Sequence, residues 1–148
     1  MIKVLKMLGG LIIVLSLFLL VGIRGANAVT KSTTKNIYQG GLKVAWLKGT
    51  ANVVTNGGPK VKCSTQGAVT TWSEPELWWA PGTLGKACTP TGGWLSTATF
   101  TAWGKLYINA MPYPLYGDYS VWICARATGP IGATTVQWDV GCNGSWGD

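Results

Sequence analysis

The sequence predicts an all-β protein whose strands pack as an antiparallel sandwich, with a small β-barrel as the alternative. After residue 28 the chain shows no helical period of useful length. Short runs rich in β-branched and aromatic residues are instead separated by Gly, Pro, Ser and Thr. Strand-like runs at regular turn spacing, with no helices between them, are typical of a sandwich or a barrel.

The first 28 residues have the pattern of a secretory signal peptide. Lys3 and Lys6 give a positive start, an apolar run covers residues 8–23, and Ala26-Asn27-Ala28 places small residues at a cleavage site. We therefore predict cleavage after Ala28, one exported domain over 29–148, and a secreted or periplasmic location. No later apolar run is long enough to span a membrane, so no transmembrane segment is expected in the mature chain.

Nine runs of the mature chain have the residue types expected of strands. Asn56-Gly57, between the second and third runs, is a strong hairpin signal. In chain order the predicted strands are LKVAWL (42–47), ANVVT (51–55), KVKCST (60–65), AVTTW (68–72), ELWWA (76–80), TATFTAW (97–103), KLYIN (105–109), YSVWICARA (119–127) and ATTVQWDV (133–140).

The last two runs are predicted to pair as a hairpin through TGPIG (128–132). Their alternation separates an apolar face from a more polar one. The residues on the apolar face are Tyr119, Val121, Ile123, Ala125, Val136, Trp138 and Val140.

An even number of cysteines in an exported chain predicts two disulfides. The chain has no histidine and no CxxC motif, so a zinc site is not expected. The disulfide cysteines are Cys63, Cys88, Cys124 and Cys142.

The predicted hairpin bears on how these cysteines pair. If its turn centres near Pro130, Cys124 lies opposite Val136, and six residues remain before Cys142. At about 3.3 Å per residue that offset approaches 20 Å, which is beyond the reach of a disulfide. A bond between Cys124 and Cys142 is therefore disfavoured unless the chain folds back after Val140. The favoured pairings are Cys63–Cys124 with Cys88–Cys142, or Cys63–Cys142 with Cys88–Cys124.

The segment LYINAMPYPLYGDYSVWICARA (106–127), followed by a further strand, resembles the E, F and G strands of immunoglobulin-like sandwiches. Gly117-Asp118-Tyr119 stands where such domains often have a tyrosine corner. The order Cys63, Trp72, Cys124 is similar to their Cys…Trp…Cys order, although the other two cysteines have no counterpart. The resemblance implies a sandwich architecture over about residues 60–140 and says nothing of function.

The mature chain is basic, and its charge is uneven. Three of the twelve basic residues lie in the signal segment, so nine remain against five acids. Six lysines precede the first acid, Glu74. A basic first third favours an anionic surface as partner, and a solvated lysine face that keeps strands soluble is the alternative. Export makes nucleic acid an unexpected partner. The six are Lys31, Lys35, Lys43, Lys48, Lys60 and Lys62.

The residue inventory excludes several catalytic chemistries. Without histidine, neither a Ser-His-Asp nor a Cys-His arrangement can form, and no phosphate loop of the GxxxxGK type occurs. A glycosidase-type carboxylate pair remains as an alternative, with Glu74 and Glu76 two positions apart. Pro75 between them favours an edge or a loop over a rigid strand. We predict no enzymatic activity, no metal and no cofactor.

Nine tryptophans are the strongest compositional anomaly. Trp46, sharing a face with Leu42 and Val44, and Trp138 are expected in the core. Trp146 lies in the loose C-terminal tail.

The segment WSEPELWWAP (72–81) concentrates three of these tryptophans beside two glutamates. Trp78 and Trp79 are adjacent, so on a strand they face opposite sides and one of them looks outward. Trp122 shares the polar face of its run with Arg126. An outward tryptophan offers an apolar ring for stacking and an N–H for hydrogen bonding.

We therefore predict an exported, non-enzymatic binding or surface protein that recognises a carbohydrate or a cell-surface partner. The candidate ligand-binding residues are Trp72, Glu74, Glu76, Trp78, Trp79, Trp122 and Arg126.

Two other functions remain open from the sequence. A membrane-active or antibacterial protein would use the basic first third against anionic headgroups and insert tryptophans at the interface. A structural subunit of a surface fibre would use the polar segment 29–41 as an arm that pairs with the sheet edge of a neighbour.

Overall fold

The computed structural model describes residues 27–108, 116–130 and 134–143. In these ranges nine strands and no helix occur, and the strands form two open antiparallel sheets. The predicted all-β sandwich is thus confirmed, and the barrel alternative does not fit. The strands are β1 (Ala28–Gln39), β2 (Leu42–Thr55), β3 (Val61–Cys63), β4 (Ala68–Ser73), β5 (Leu77–Trp79), β6 (Gly85–Thr89), β7 (Thr97–Ile108), β8 (Asp118–Thr128) and β9 (Thr135–Val140).

The first sheet contains β1 to β4 and is organised around β2. β1 and β2 form a long hairpin joined by Gly40-Gly41, whose φ angles of 57° and 83° suit the tight type I′ turn that joins twisted strands. On its other edge β2 pairs with β4 along its first half and with β3 near its end. One long strand therefore fixes the register of the whole sheet.

The second sheet contains β5 to β9 and is organised around β7 in the same way. β7 pairs with β8 along one edge, and with β5 and β6 along the other. β9 adds to the far side of β8. The connection between β4 and β5 carries the chain from the first sheet to the second.

The core lies between the two sheets, and Phe100 is the largest of its fully buried side chains. Leu47 from β2 and Ile123 from β8 are also almost fully buried. A Cβ added at Gly49 would lie 2.7 Å from Cγ2 of Val121 and 2.8 Å from Cε1 of Phe100. The sheets therefore approach closely enough at this point that only glycine fits on β2.

The predicted burial of Trp46 and Leu42 is wrong, whereas Val44 does pack, partly buried, against the core. Ala45, Leu47 and Val53 point into the core, so Trp46 lies on the opposite face of β2, and Leu42 is 74% exposed. Lys48-Gly49-Thr50 separated two predicted strands here, and each half was too short to show their common alternation. From Ala45 to Thr55 the outward face carries Lys48 and Asn52, which are costly to bury, whereas the inward face carries neither lysine nor asparagine.

The alternation predicted for the last two runs is confirmed for most positions. Val121, Ile123 and Ala125 are buried, and the core packs against Val136 and Trp138. Val140, at the end of β9, is half exposed instead, because the strand passes the edge of the core there.

Two strands were missed and four predicted runs merged into two. Residues 42–55 form one strand, as do residues 97–108. The polar segment 29–41 contains β1 and its turn, and it pairs with β2 of its own chain. The short strand β6 also escaped detection. Both have few apolar residues, because β1 lies at an edge of its sheet and β6 is mostly exposed.

The immunoglobulin-like strand correspondence does not hold. The strands likened to E and F, now the end of β7 and β8, are neighbours in one sheet. In immunoglobulin domains E and F belong to opposite sheets. The chain therefore shares the sandwich architecture without that strand order.

Both favoured disulfide pairings are wrong. Cys63 bonds to Cys88, with Cα atoms 6.0 Å apart, and this bond links β3 of the first sheet to β6 of the second. Cys124 bonds to Cys142, with Cα atoms 5.7 Å apart.

The error arose from the register of the β8–β9 hairpin. Cys124 lies opposite Asp139 and not Val136, so only three residues remain before Cys142. Positive φ angles at Gly141 (88°) and Cys142 (52°) then turn the chain back, which is the exception that the sequence analysis left open.

The predicted signal peptide lies almost entirely outside the described residues. Ala28, the last residue before the predicted cut, begins β1 opposite Val54. The two disulfides are consistent with a protein that matures outside the reducing cytoplasm. Within the described ranges, no helix has the length and apolarity needed to cross a membrane.

A tryptic digest of the oxidised protein should reveal this pairing directly. Cleavage after Lys62, Lys86, Lys105 and Arg126 places each cysteine in a separate peptide. We expect mass spectrometry without reduction to find peptide 63–86 joined to 87–105, and 106–126 joined to 127–148. A bond from 63–86 to either of the last two peptides would contradict the fold.

Replacing Gly49 with alanine should destabilise the sandwich by about 1–3 kcal/mol, because the new methyl group overlaps Phe100 and Val121. Urea unfolding measures this loss. Gly92→Ala is the matched control, since no heavy atom lies within 4 Å of its added Cβ. Equal stability of the two variants would show that the sheets do not meet at Gly49.

Candidate functional site

The outer face of the second sheet carries exposed aromatic side chains from three strands. Trp78 on β5, Trp103 on β7 and Trp122 on β8 are 42%, 41% and 45% exposed. Each alternates with buried neighbours, so all three point away from the core. We call this surface the aromatic face and define it by Trp78, Trp103, Tyr107 and Trp122.

Trp78 and Tyr107 form one end of the aromatic face. They lie directly opposite each other across β5 and β7. Their ring centroids are 5.6 Å apart and the planes are inclined by 39°. Contact of this kind stabilises aromatic pairs beyond their burial, so it holds the exposed indole in place.

Trp103 lies near the middle of the face, over β6. Its register partners are Gly85 on one side and Ser120 on the other. A Cβ at Gly85 would lie 2.6 Å from the indole Nε1 of Trp103. Glycine at position 85 thus leaves the space in which the indole rests on the neighbouring strand.

Trp122 forms the other end of the face. It lies opposite Thr101, which makes it a diagonal neighbour of Trp103, about 7–8 Å away at the backbone. Its Nε1 donates a hydrogen bond to Oγ of Ser120 at 3.2 Å. This bond orients the indole along β8.

An open groove of about 410 Å³ adjoins Trp103. Two of the residues that line it, Lys105 and Asp118, form an ion pair in which Nζ lies 3.7 Å from Oδ1. Because both side chains are more than half exposed, the pair adds little stability and its polar atoms remain accessible. The lining residues are Gly82, Thr83, Trp103, Gly104, Lys105, Asp118, Tyr119 and Ser120.

Tyr119 is one of the residues that border the groove. Burial raises the pKa of Tyr119 above its ordinary value, and the nearby Tyr116 adds to this rise, while a backbone hydrogen bond at Gly117 opposes it. The ring packs edge-on against Trp79, with centroids 6.1 Å apart. The groove wall is therefore anchored in the core.

The segment 72–81 connects the two sheets, and its tryptophans do not form one site. Trp72 lies on β4 opposite Trp46, on the outer face of the first sheet. Trp78 lies on the outer face of the second sheet. Trp79 lies between the sheets, as the predicted opposition of Trp78 and Trp79 requires, and its Nε1 donates to the backbone oxygen of Trp72 at 3.2 Å.

Glu74 and Glu76 lie in this connection and not on a strand. The backbone N–H of Glu74 donates to the backbone oxygen of Val44 at 2.9 Å. The backbone oxygen of Glu74 accepts from the N–H of Leu77, also at 2.9 Å. Neither glutamate lines the groove beside Trp103. The carboxylate among the residues lining that groove is Asp118.

Arg126 shares the outer face of β8 with Trp122 but is separated from it by Cys124. Four residues along a strand correspond to about 13 Å. Arg126 is half-buried beside Thr97 and Gln137, toward the far end of the sheet. Of the predicted site residues, Trp78 and Trp122 are thus on the aromatic face, and Arg126 lies beyond its end.

Sequence analysis missed Trp103, Lys105 and Tyr107 as site residues. All three share the outward face of β7, because they alternate with the buried residues of TATFTAWGKLYI. This alternation along one continuous strand could have identified them, but the predicted break at Gly104 divided the strand into two runs. Trp146, assigned to the tail, lies outside the described residues.

Comparisons with protein-family models, curated proteins and solved structures found no match to this chain. In the described part of the chain, no group of three or more potential metal-ligating side chains comes together. The fold and its site thus define a disulfide-linked β-sandwich with an aromatic outer face.

Proposed function

We propose that this protein is an exported, non-enzymatic binding protein that recognises an extended carbohydrate on its aromatic face. The observation that carries the proposal is the alignment of three tryptophans, each more than 40% exposed, on one face of one sheet. Contiguous exposed aromatic surface in a small protein is characteristic of an interaction site.

The chemistry of the aromatic face suits sugar rings. An indole presents a flat apolar surface to the C–H groups of a pyranose, and its N–H remains available to a polar partner. Ser120 and the Lys105–Asp118 pair lie beside these rings and can exchange hydrogen bonds with sugar hydroxyls. Ligand sites commonly combine apolar walls with a few polar groups in this way.

The length of the face favours a chain over a single sugar. Trp122 lies level with Thr101, six residues from Tyr107 along β7. That separation is about 20 Å at the spacing of an antiparallel strand. A ligand touching both ends would have several sugar units in extended form.

The location follows from the same set of observations. We propose that the signal segment is removed after Ala28 and that the domain acts outside the cytoplasm, where its two disulfides persist. Cleavage there leaves β1 nearly whole, since the strand begins at Ala28.

The fibre hypothesis loses its structural motivation. The segment assigned to an intermolecular arm, residues 29–41, already pairs with β2 of its own chain over eleven positions. Its turn has no spare residues, because Gln39 and Leu42 are register partners.

Binding to insoluble polysaccharides tests the proposal. The oxidised mature protein would be mixed with cellulose, chitin, xylan and peptidoglycan, and its partition measured. We expect binding to one of these and a loss of at least about tenfold in the Trp103→Ala, Trp122→Ala double variant, because two stacking rings are removed.

Trp72→Ala is the matched control for this experiment. Trp72 is 39% exposed, but it lies on the other sheet, so its removal should leave binding to cellulose, chitin or xylan unchanged. Trp79→Ala is unsuitable because Trp79 packs against both core clusters. Retained binding by a folded Trp103→Ala, Trp122→Ala variant would refute the site.

A further inference from the structure

The outer face of the first sheet has a chemistry different from the aromatic face. Residues 27–73 contain six lysines and no acidic residue, whereas the strands of the second sheet carry both signs of charge. The lysines therefore belong to the half of the sandwich made by β1 to β4.

One end of this surface combines aromatic and cationic groups. Trp46 and Trp72 are register partners on β2 and β4. Lys48 follows two residues after Trp46 on the same face and is exposed, with Thr34 and Thr70 as its cross-strand neighbours. Two tryptophans thus share this face with a positive charge and two hydroxyl groups.

The other end repeats the combination. Lys62 on β3 lies opposite Val54, on the outward side of the sheet. Its Nζ is 4.7 Å from the ring centroid of Trp94. The cation–π contact positions the ammonium group without neutralising its charge.

Hydrogen-bonding groups join the two ends. Oγ1 of Thr30 donates to Oδ1 of Asn52 at 2.7 Å, and Nδ2 of Asn52 donates to Oγ1 of Thr65 at 3.1 Å. Asn52 lies on the same face, between Lys48 and the level of Lys62. We call this surface the cationic track and define it by Trp46, Lys48, Asn52, Lys62, Trp72 and Trp94.

We propose that the cationic track binds an acidic polysaccharide, whose sugar rings carry carboxylate or sulfate groups. Lys62 is level with Val54, six residues from Lys48 along β2, which is about 20 Å. That distance is too great for one small anion and suits a polymer with repeated charges. Trp72 and Trp94 would contact the rings while the lysines pair with the acids.

The composition of the track favours a polysaccharide over an anionic bilayer. Docking to a bilayer requires exposed apolar side chains that enter the interface. Among the tryptophans of the track, Trp72 alone exceeds one third exposure, and Trp46 and Trp94 are half-buried. The space between them is occupied by hydroxyl and amide groups, which pair with sugar hydroxyls.

This proposal is independent of the aromatic face, since the two surfaces lie on opposite sides of the sandwich. A protein with both sites would connect two carbohydrate chains. If one of the two proposed sites does not bind carbohydrate, the proposal for the other still stands. Variants on each surface therefore test the two proposals separately.

Retention on immobilised dextran sulfate, with uncharged dextran as the blank, tests the cationic track. We expect a Lys48→Gln, Lys62→Gln variant to elute at lower salt and to bind about tenfold more weakly than the unchanged protein. Arginine in place of glutamine at position 62 (Lys62→Arg) should restore binding to the level of the unchanged protein, because arginine keeps the charge and the ring contact. Trp103→Ala, Trp122→Ala should retain full binding.

The control variant carries Lys31→Gln and Lys86→Gln, which remove the same charge off the track. Lys31 lies opposite the buried Ala51, so its side chain projects from the core-facing side of β1 and not from the side that carries the track. Lys86 belongs to the second sheet. Equal losses in both variants would overturn the proposal, because net charge alone would then explain retention. Binding to phosphatidylglycerol vesicles without binding to dextran sulfate would also overturn it.

Discussion

The packing of Phe100 against two glycines is the contact on which the rest of the structure depends. A Cβ at Gly49 would lie 2.8 Å from one edge of the Phe100 ring, and a Cβ at Gly67 would lie 2.6 Å from another. The ring is 1% exposed, so it fills the space that these glycines leave. Because side chains alternate along a strand, fixing Gly49 and Phe100 inward fixes the orientation of the residues on β7 and of those on β2 from Ala45 onward.

Both candidate surfaces follow from that constraint. With Gly49 inward, Trp46 and Lys48 of β2 both point outward, although the apolar residues around Trp46 predicted its burial. With Phe100 inward, Trp103 and Tyr107 of β7 also point outward. The Cys63–Cys88 bond supports the same contact, since Cys88 is the register partner of Phe100 on β6.

The sequence was sufficient where one uninterrupted run carried the signal. The run 119–127 has no glycine, and its alternation correctly predicted the orientation of β8 and the outward Trp122. Gly49 and Gly104 instead led to wrong strand boundaries, because a glycine within a strand is easily taken for the end of that strand. Both sit at close approaches, Gly49 against Phe100 and Gly104 against Trp79, which only the packed structure reveals.

The remaining errors have a similar origin in long-range geometry. The Cys124–Cys142 bond depends on the register of the β8–β9 hairpin and on a positive φ at Cys142, and residue types alone predict neither. The crossing of segment 72–81 between sheets likewise separates Trp72 from Trp78, although they are six residues apart in sequence. The excess of tryptophan could therefore be seen in the sequence, whereas the distribution of the tryptophans between the outer faces of the two sheets could not.

The central claim is that carbohydrate contacts the aromatic face and leaves the opposite tryptophans untouched. The most direct test is to follow the indole N–H signals of ¹⁵N-labelled protein by nuclear magnetic resonance during titration with cellohexaose, chitohexaose or xylohexaose. We predict that one of these neutral oligosaccharides shifts the signals of Trp78, Trp103 and Trp122, with Trp46 and Trp72 unchanged. Shifts confined to Trp46 and Trp72, or none with any oligosaccharide, would contradict the account.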